Sequence, residues 1–255
     1  MAPRLSTGMR DYLQMNGSIK QFLNGAIMRI YSGSQPATAD LTDGVLLNTI
    51  TVSSGAHTPE VLSAGSVTVI GTVGTVTSIV VDSVEVLGAT QTFATTLTAL
   101  ATDIAAQINT FMSVPKYTAT SSGAKVTIYA SCGSGTTPNG LDVTTTGAGG
   151  ITATDVNMGT EVAGVAAVNG LTFGLVSAGV LSKSGVWSGV AGADGTPGYF
   201  RIARSAAEAT GASALYKRID GSISTSSADL NINPNTSVNG VTLTIDTFAV
   251  TEPAA

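Results

Sequence analysis

The chain has 255 residues, of which 11% are charged, and a formal net charge of −5. This length allows a buried core without disulfides, and the chain lacks the low hydrophobicity and high net charge that favour disorder. The acidic balance, with no run of Lys or Arg, excludes the phosphate-binding surface of a direct nucleic-acid binder. The single cysteine, Cys132, excludes an internal disulfide. A folded surface with so few charges is expected to be covered by partner subunits.

Two short helices are predicted at the start of the chain. Apolar residues have helical spacing over Ser6–Asn24, Ser18 with Gln21 matches a capping box, and the Asn16-Gly17 pair is expected to break the helix. The apolar stripe of these helices either covers the chain's own sheet or docks on a neighbouring subunit. Its residues are therefore the candidate interface: Met9, Leu13, Phe22 and Leu23.

Strand patterns follow, and they resume after a Gly- and Thr-rich stretch at Thr144–Thr160. Val241–Thr251 shows the clearest alternation of apolar and polar residues, which is typical of a half-buried strand. The other predicted strands are Ala26–Tyr31, Val45–Val52, Gly170–Gly174, Val186–Val190, Gly198–Ile202 and Tyr216–Ile219.

The middle of the chain has a different pattern. Thr96–Met112 carries apolar residues at helical spacing and ends before Pro115, so it predicts an amphipathic helix. Strands are predicted around it at Val67–Ile70, Ser78–Asp82, Tyr117–Ser121 and Lys125–Ala130. We interpret residues 66–159 as a small inserted α+β domain. Residues 1–65 plus 160–255 are then a mainly β, discontinuous, β-sandwich-like domain with short N-terminal helices.

No catalytic, cofactor-binding or metal-binding residue is predicted. His57 is the single histidine and lies in a Ser-Gly-Ala-His-Thr-Pro turn with no nucleophile signature beside it. Asp194 and Asp220, each followed by Gly, are expected in tight turns rather than in a calcium loop. The aromatic group of Trp187, Tyr199 and Phe200 is expected to pack in the core.

Several segments of the outer domain, in order, resemble a family of small structural proteins of tailed bacteriophages. The segments are Arg4–Arg10, Arg29–Ala37, Asp43–Leu47, Gly170–Gly174, Gly179–Gly189, Gly195–Ile202, Arg218–Ser222 and Phe248–Pro253. The middle is similar to a module of phage tail and surface proteins, in which a helix such as Leu97–Ile108 precedes a strand such as Tyr117–Ala119 and a hairpin such as Gly123–Ile128.

The resemblance implies a non-enzymatic role in the virion, with copies of the chain and other capsid or tail proteins as partners. The leading expectation is an oligomeric capsid decoration or cement-type protein. Two alternatives stay open: a tail, collar or baseplate component, and a host-surface glycan-binding module formed by the insert. The first twenty residues lack the apolar core of a secretory signal, and no stretch reaches the roughly 18 apolar residues of a membrane span. We therefore expect assembly in the bacterial cytoplasm without membrane attachment.

Overall fold

The computed structural model describes residues 3–15, 17–233 and 235–251. It divides into two compact units. Unit 1 comprises Met1–Gln14, Ser18–Pro59 and Ala167–Ala255, and unit 2 comprises Met15–Gly17 and Glu60–Ala166. The fold is mainly β, as predicted, and it contains several antiparallel sheets.

Short strands outnumber helices in the part of the chain that the structure describes. Before residue 60 the elements are β1 (Arg4–Leu5), α1 (Thr7–Gln14), α2 (Ile19–Leu23), β2 (Ile27–Ser32) and β3 (Leu46–Val52). Within residues 60–166 they are β4 (Ala64–Ile70), β5 (Thr75–Val81), β6 (Val84–Glu85), β7 (Gln91–Thr92), α3 (Leu97–Thr110), β8 (Thr118–Ser122), β9 (Lys125–Tyr129), β10 (Val143–Ala148) and β11 (Thr152–Val156). After residue 166 they are β12 (Thr172–Phe173), β13 (Val180–Ser184), β14 (Trp187–Val190), β15 (Pro197–Ala203), α4 (Ala206–Ala209), β16 (Ile219–Ser224), β17 (Leu230–Asn231), β18 (Thr242–Ile245) and β19 (Ala249–Thr251).

The two N-terminal helices form as the sequence predicts. Ser18 has extended backbone angles and its hydroxyl accepts a hydrogen bond from the Gln21 amide, so it is the N-cap of α2. Gly25 follows the helix with a φ of 80°, a left-handed conformation that favours glycine. Of the predicted helix break, Gly17 lies among the described residues and Asn16 lies outside them.

The main sheet of unit 1 has the strand order β1-β16-β15-β2-β3-β14-β18, with β17 pairing in parallel beside β16. Side chains alternate between its two faces. One face is apolar, because Phe200 pairs across strands with Ile30, and Ile202 pairs with Met28. The opposite face carries charged residues, of which the central pair is Arg201 and Asp220.

A smaller sheet, β12-β13-β19, packs on the apolar face of the main sheet. The Phe173 ring of β12 contacts the Trp187 ring edge-on, with ring centroids 4.9 Å apart. Phe248 lies one residue before β19, and its ring centroid is 5.7 Å from that of Phe200. Edge-to-face contacts of this kind stabilise aromatic cores. Trp187, Tyr199 and Phe200 are all buried, as predicted. Trp187 and Phe200 lie between the two sheets, whereas Tyr199 lies on the opposite face of the main sheet, the face that carries Arg201.

Unit 2 has two antiparallel sheets and one helix. The first sheet has the order β10-β5-β6, with β7 beside β5, and the second has the order β11-β4-β9-β8. Helix α3 packs on the second sheet and buries Leu100, Ile104 and Ile108 in the core of the unit. Thr96 is its N-cap and accepts a hydrogen bond from the Ala99 amide at 3.1 Å. The predicted amphipathic helix is thus confirmed, two residues shorter at its C-terminal end.

Three segments differ from the sequence-based expectations. The Gly- and Thr-rich stretch contains two strands, β10 and β11, because threonine is β-branched and favours extended backbone. The strand expected at Tyr216–Ile219 begins at Ile219 and continues to Ser224, so Asp220 lies within a strand and not in a turn. The strand expected at Val241–Thr251 is divided into β18 and β19, which belong to different sheets.

The ends of unit 2 lie side by side. Val61 and Val165 exchange two backbone hydrogen bonds of 3.0 and 2.9 Å, and the Ala64 amide donates to the Val162 carbonyl at 2.9 Å. Unit 2 therefore extends beyond the predicted insert of residues 66–159, starting at Glu60 and ending at Ala166. These flanking residues are rich in Ala and Gly and lack the alternation that predicts a strand.

Candidate interaction surface

A buried ion pair lies at the centre of the charged face of the main sheet. Arg201 on β15 and Asp220 on β16 are direct cross-strand neighbours, so their side chains share one face. The Nε and Nη2 groups of Arg201 donate to the two carboxylate oxygens of Asp220, both at 2.8 Å, and neither side chain is exposed. Burial raises the pKa of Asp220, and the two hydrogen bonds from Arg201 oppose that rise.

Arg201 also holds the two loops above this face. Its Nη1 donates to the Ala209 carbonyl at 3.3 Å, and its Nη2 donates to the Leu41 carbonyl at 3.2 Å. We call residues 33–45, between β2 and β3, loop A, and residues 204–218, between β15 and β16 and including the short helix α4, loop B. A buried guanidinium with five donors needs several acceptors, and the loop carbonyls supply those that Asp220 does not.

Arg218 joins the same two loops a second time. Its guanidinium is buried and donates to the carbonyls of Thr210 at 2.7 Å and Gly211 at 2.8 Å in loop B, and of Ala39 at 3.3 Å in loop A. The loops are also bonded directly, since the Ser213 amide donates to the Asp40 carbonyl at 2.8 Å. Loops A and B are therefore one rigid layer and not two independent segments.

Two stacked tyrosines fix the inner side of this layer. The rings of Tyr31 and Tyr199 lie 5.1 Å apart and nearly parallel. The Tyr199 hydroxyl accepts a hydrogen bond from the Gly44 amide of loop A at 2.7 Å, and the Tyr31 hydroxyl donates to the Ala209 carbonyl of loop B at 3.4 Å. Burial raises the pKa of Tyr199 to about 12, so its hydroxyl stays protonated at all physiological pH values.

Both loops expose large apolar side chains. Leu215 is 87% exposed, Leu41 is 46% exposed and Tyr216 is 39% exposed, and we call these three side chains the platform. Helix α1 supports it at Gly8, where a Cβ atom would lie 2.4 Å from the Leu215 carbonyl oxygen. Large apolar side chains held in water by a rigid support are typical of a surface that another protein covers.

The predicted interface residues lie elsewhere. Met9, Phe22 and Leu23 are completely buried within unit 1, and Leu13 is partly exposed. The stripe therefore covers the chain's own core, and of the four residues Leu13 alone keeps surface for a neighbour. The platform was missed because Leu41, Leu215 and Tyr216 lie in loops without periodicity, and only the density of Gly, Ser and Thr around them marks those segments as loops.

The residues with catalytic potential are dispersed. The Nε2 atom of His57 lies 3.0 Å from the Gly25 carbonyl, and burial lowers the pKa of this histidine, so it is neutral at pH 7. Cys132 is a buried free thiol. Asp194 accepts a hydrogen bond from the Asn239 amide at 2.7 Å. Across the described ranges, no group of three or more His, Cys, Asp or Glu side chains could hold a metal ion.

Comparisons with protein-family models, with curated proteins and with solved structures found no match for this chain. None of the helices in the described part of the chain is long and apolar enough to cross a membrane.

Proposed function

We propose that this protein is a non-enzymatic structural component of a tailed-bacteriophage virion, and that it acts as an oligomeric decoration or cement-type protein on the capsid. The observation that carries the assembly role is the platform of Leu41, Leu215 and Tyr216 on loops fixed by buried arginines. Covering such side chains removes apolar surface from water, which stabilises a complex by roughly 25 cal/mol per Å².

The rigidity of loops A and B supports this role. A loop that is ordered before binding loses little conformational entropy when a partner covers it, so more of the apolar gain appears as affinity. Arg201 and Arg218 order the loops in the free chain, because they hold carbonyl groups of both. Closed symmetry would then repeat a modest contact around the particle and increase its total strength.

The place on a phage particle rests on the resemblance of the outer segments and on the low charge of the chain, in which 11% of residues are charged. A tail, collar or baseplate position uses the same kind of contact and stays the second placement. A glycan site on the insert has less support. The aromatic residues of the insert are buried or half-buried, so they offer no exposed ring on which a sugar could stack: Phe93, Phe111, Tyr117 and Tyr129.

Immunogold electron microscopy tests this placement. Antibodies raised against the purified protein would be applied to purified phage particles from the host that carries the gene. We expect regular label on the capsid. Label confined to the tail, collar or baseplate would contradict the capsid position and support the second placement. Protein that is present in the lysate and absent from purified particles would overturn the virion role.

A further inference from the structure

A polar groove lies in unit 1, away from the platform loops, where β17 meets the segment that joins β18 to β19. It consists of two adjoining cavities of about 390 and 230 Å³ that share Asn231, Asp246 and Thr247. The larger cavity falls within the range of roughly 300–1,000 Å³ that small-molecule sites occupy. The side chains that carry the argument are Lys183, Asp229, Asn231 and Asp246.

The polar groups of the groove are positioned and still have hydrogen-bonding capacity. One carboxylate oxygen of Asp229 accepts both hydrogen bonds from Ser222, and no donor in the described ranges bonds the other oxygen. The Asn231 side-chain oxygen accepts from the Ala228 amide, which leaves its NH₂ group as a donor. Lys183 donates one hydrogen bond to the Gly185 carbonyl at 2.8 Å and has three N–H groups in all.

Asp246 is the central acceptor of the groove. It borders both cavities and is exposed, and no donor among the described residues bonds its carboxylate. The groove thus presents carboxylate acceptors beside amide and ammonium donors. Two apolar residues, Ile245 and Phe248, also line the groove, and both are buried.

This chemistry selects among ligand classes. Two carboxylates against one ammonium disfavour phosphates and other anions. An extended peptide added to a sheet edge binds chiefly through its backbone groups, whereas the polar groups argued for this groove are side chains. A ligand with many hydroxyl groups can both donate and accept hydrogen bonds, so it can bond to the carboxylates, the amide and the ammonium group of the groove. We propose that this groove binds a neutral oligosaccharide through Asp246, Asn231 and Lys183.

The expected affinity is weak, because the described residues that line the groove include no exposed aromatic ring to stack on a sugar. We expect a dissociation constant on the order of 1 mM for a single site, with repetition of the chain on a particle raising the avidity. The site goes beyond the assembly role, and it belongs to unit 1 and not to the insert.

Saturation-transfer NMR on the full chain tests the proposal. The probes are malto-, cello-, chito- and galacto-oligosaccharides, with a sialylated oligosaccharide as the anionic comparison. We expect transfer to at least one neutral probe and none to the anionic one. Asp246→Ala should weaken that binding by about tenfold, since a hydrogen bond to a charged group is lost. Asp103→Ala, at an exposed position of α3 in unit 2, should bind as the wild type does.

Three results would overturn the proposal. One is the absence of transfer to every neutral probe at about ten times the expected dissociation constant of roughly 1 mM. Another is equal transfer to wild type and Asp246→Ala, with both variants shown to be folded by circular dichroism. The third is a change in oligomeric mass of Asp246→Ala without any saccharide signal, which would assign the groove to subunit contact. None of these results depends on where the immunogold label appears.

Discussion

Arg201, Arg218 and Asp220 show how single residues organise this surface. Each is fully buried, and a buried charge costs several kcal/mol unless it is paired and hydrogen-bonded. Both guanidinium groups meet this condition by bonding loop carbonyls, and Arg201 also bonds Asp220. The charges therefore stabilise the fold little by themselves, and their main effect is to fix the positions of loops A and B.

Replacing Asp220 with Asn should destabilise unit 1 strongly. The change leaves the Arg201 charge buried without its partner, and breaking a buried pair in this way costs about 3–5 kcal/mol. Urea denaturation followed by fluorescence of Trp187 would measure the loss. Asp103→Asn, at an exposed position, should change stability by no more than about 0.5 kcal/mol. An Asp220→Asn variant as stable as the wild type would contradict the role given to the pair.

His57 should make the stability of unit 1 depend on pH. Burial lowers its pKa below the ordinary 6.5, so the folded state prefers the neutral ring. Its contribution is therefore fully present above pH 6.5 and is lost as the pH falls through the lower folded-state pKa. Denaturant midpoints measured between pH 7.5 and 5 should fall for the wild type and fall less for His57→Gln. Identical slopes for the two proteins would show that His57 is not linked to folding.

The N-cap of α3 is the clearest test among the individual elements. Thr96→Ala removes the hydroxyl that accepts from the Ala99 amide, and such a change costs about 1 kcal/mol. The matched control is Thr98→Ala, an exposed position in the first turn of the same helix. Chemical denaturation should separate the two variants, with the loss confined to Thr96→Ala. An equal loss in both would mean that the Thr96 hydroxyl does not stabilise this end of α3 as a cap.

Elements with strong local signals could be predicted from the sequence. Helix α3 and the β8–β9 hairpin follow from apolar spacing and from Gly123, whose φ of 57° suits a tight turn. The strands β10 and β13 could not, because their Gly, Ser and Thr content is also that of a loop. The candidate site was harder still. Leu41 and Leu215 lie in two loops that are far apart in the sequence and bonded to each other in the fold, and Asp220-Gly221 has a turn signature that the pairing of β16 overrides.

At the scale of the whole molecule, the two units differ in their roles. Unit 1 holds the platform and the groove, and unit 2 is a module whose two ends pair with each other at Val61 and Val165. Paired ends allow a module to be gained or lost without disturbing the chain on either side. An assembly protein can in this way keep one contact surface and vary the module that it carries.

Residues 60–166 should therefore fold when they are produced alone. Their core is shared by two sheets and α3 and is formed by residues of this range. We expect dispersed amide NMR signals and a cooperative thermal transition for the fragment, and a folded unit 1 when Pro59 is joined to Ala167 through a short Asn-Gly linker. A fragment with collapsed, undispersed signals would show that unit 2 depends on unit 1.

The central claim is that the platform mediates association between copies, and light scattering behind size exclusion tests it most directly. The wild type should show a molar mass of two or more times the 25.4 kDa of one chain over a concentration series. The double variant Leu41→Asp/Leu215→Asp should shift towards a monomer, while Leu175→Asp, at a position 87% exposed outside the platform, should keep the wild-type mass. A wild type that is monomeric at every concentration, or a platform variant with the wild-type mass, would contradict the account.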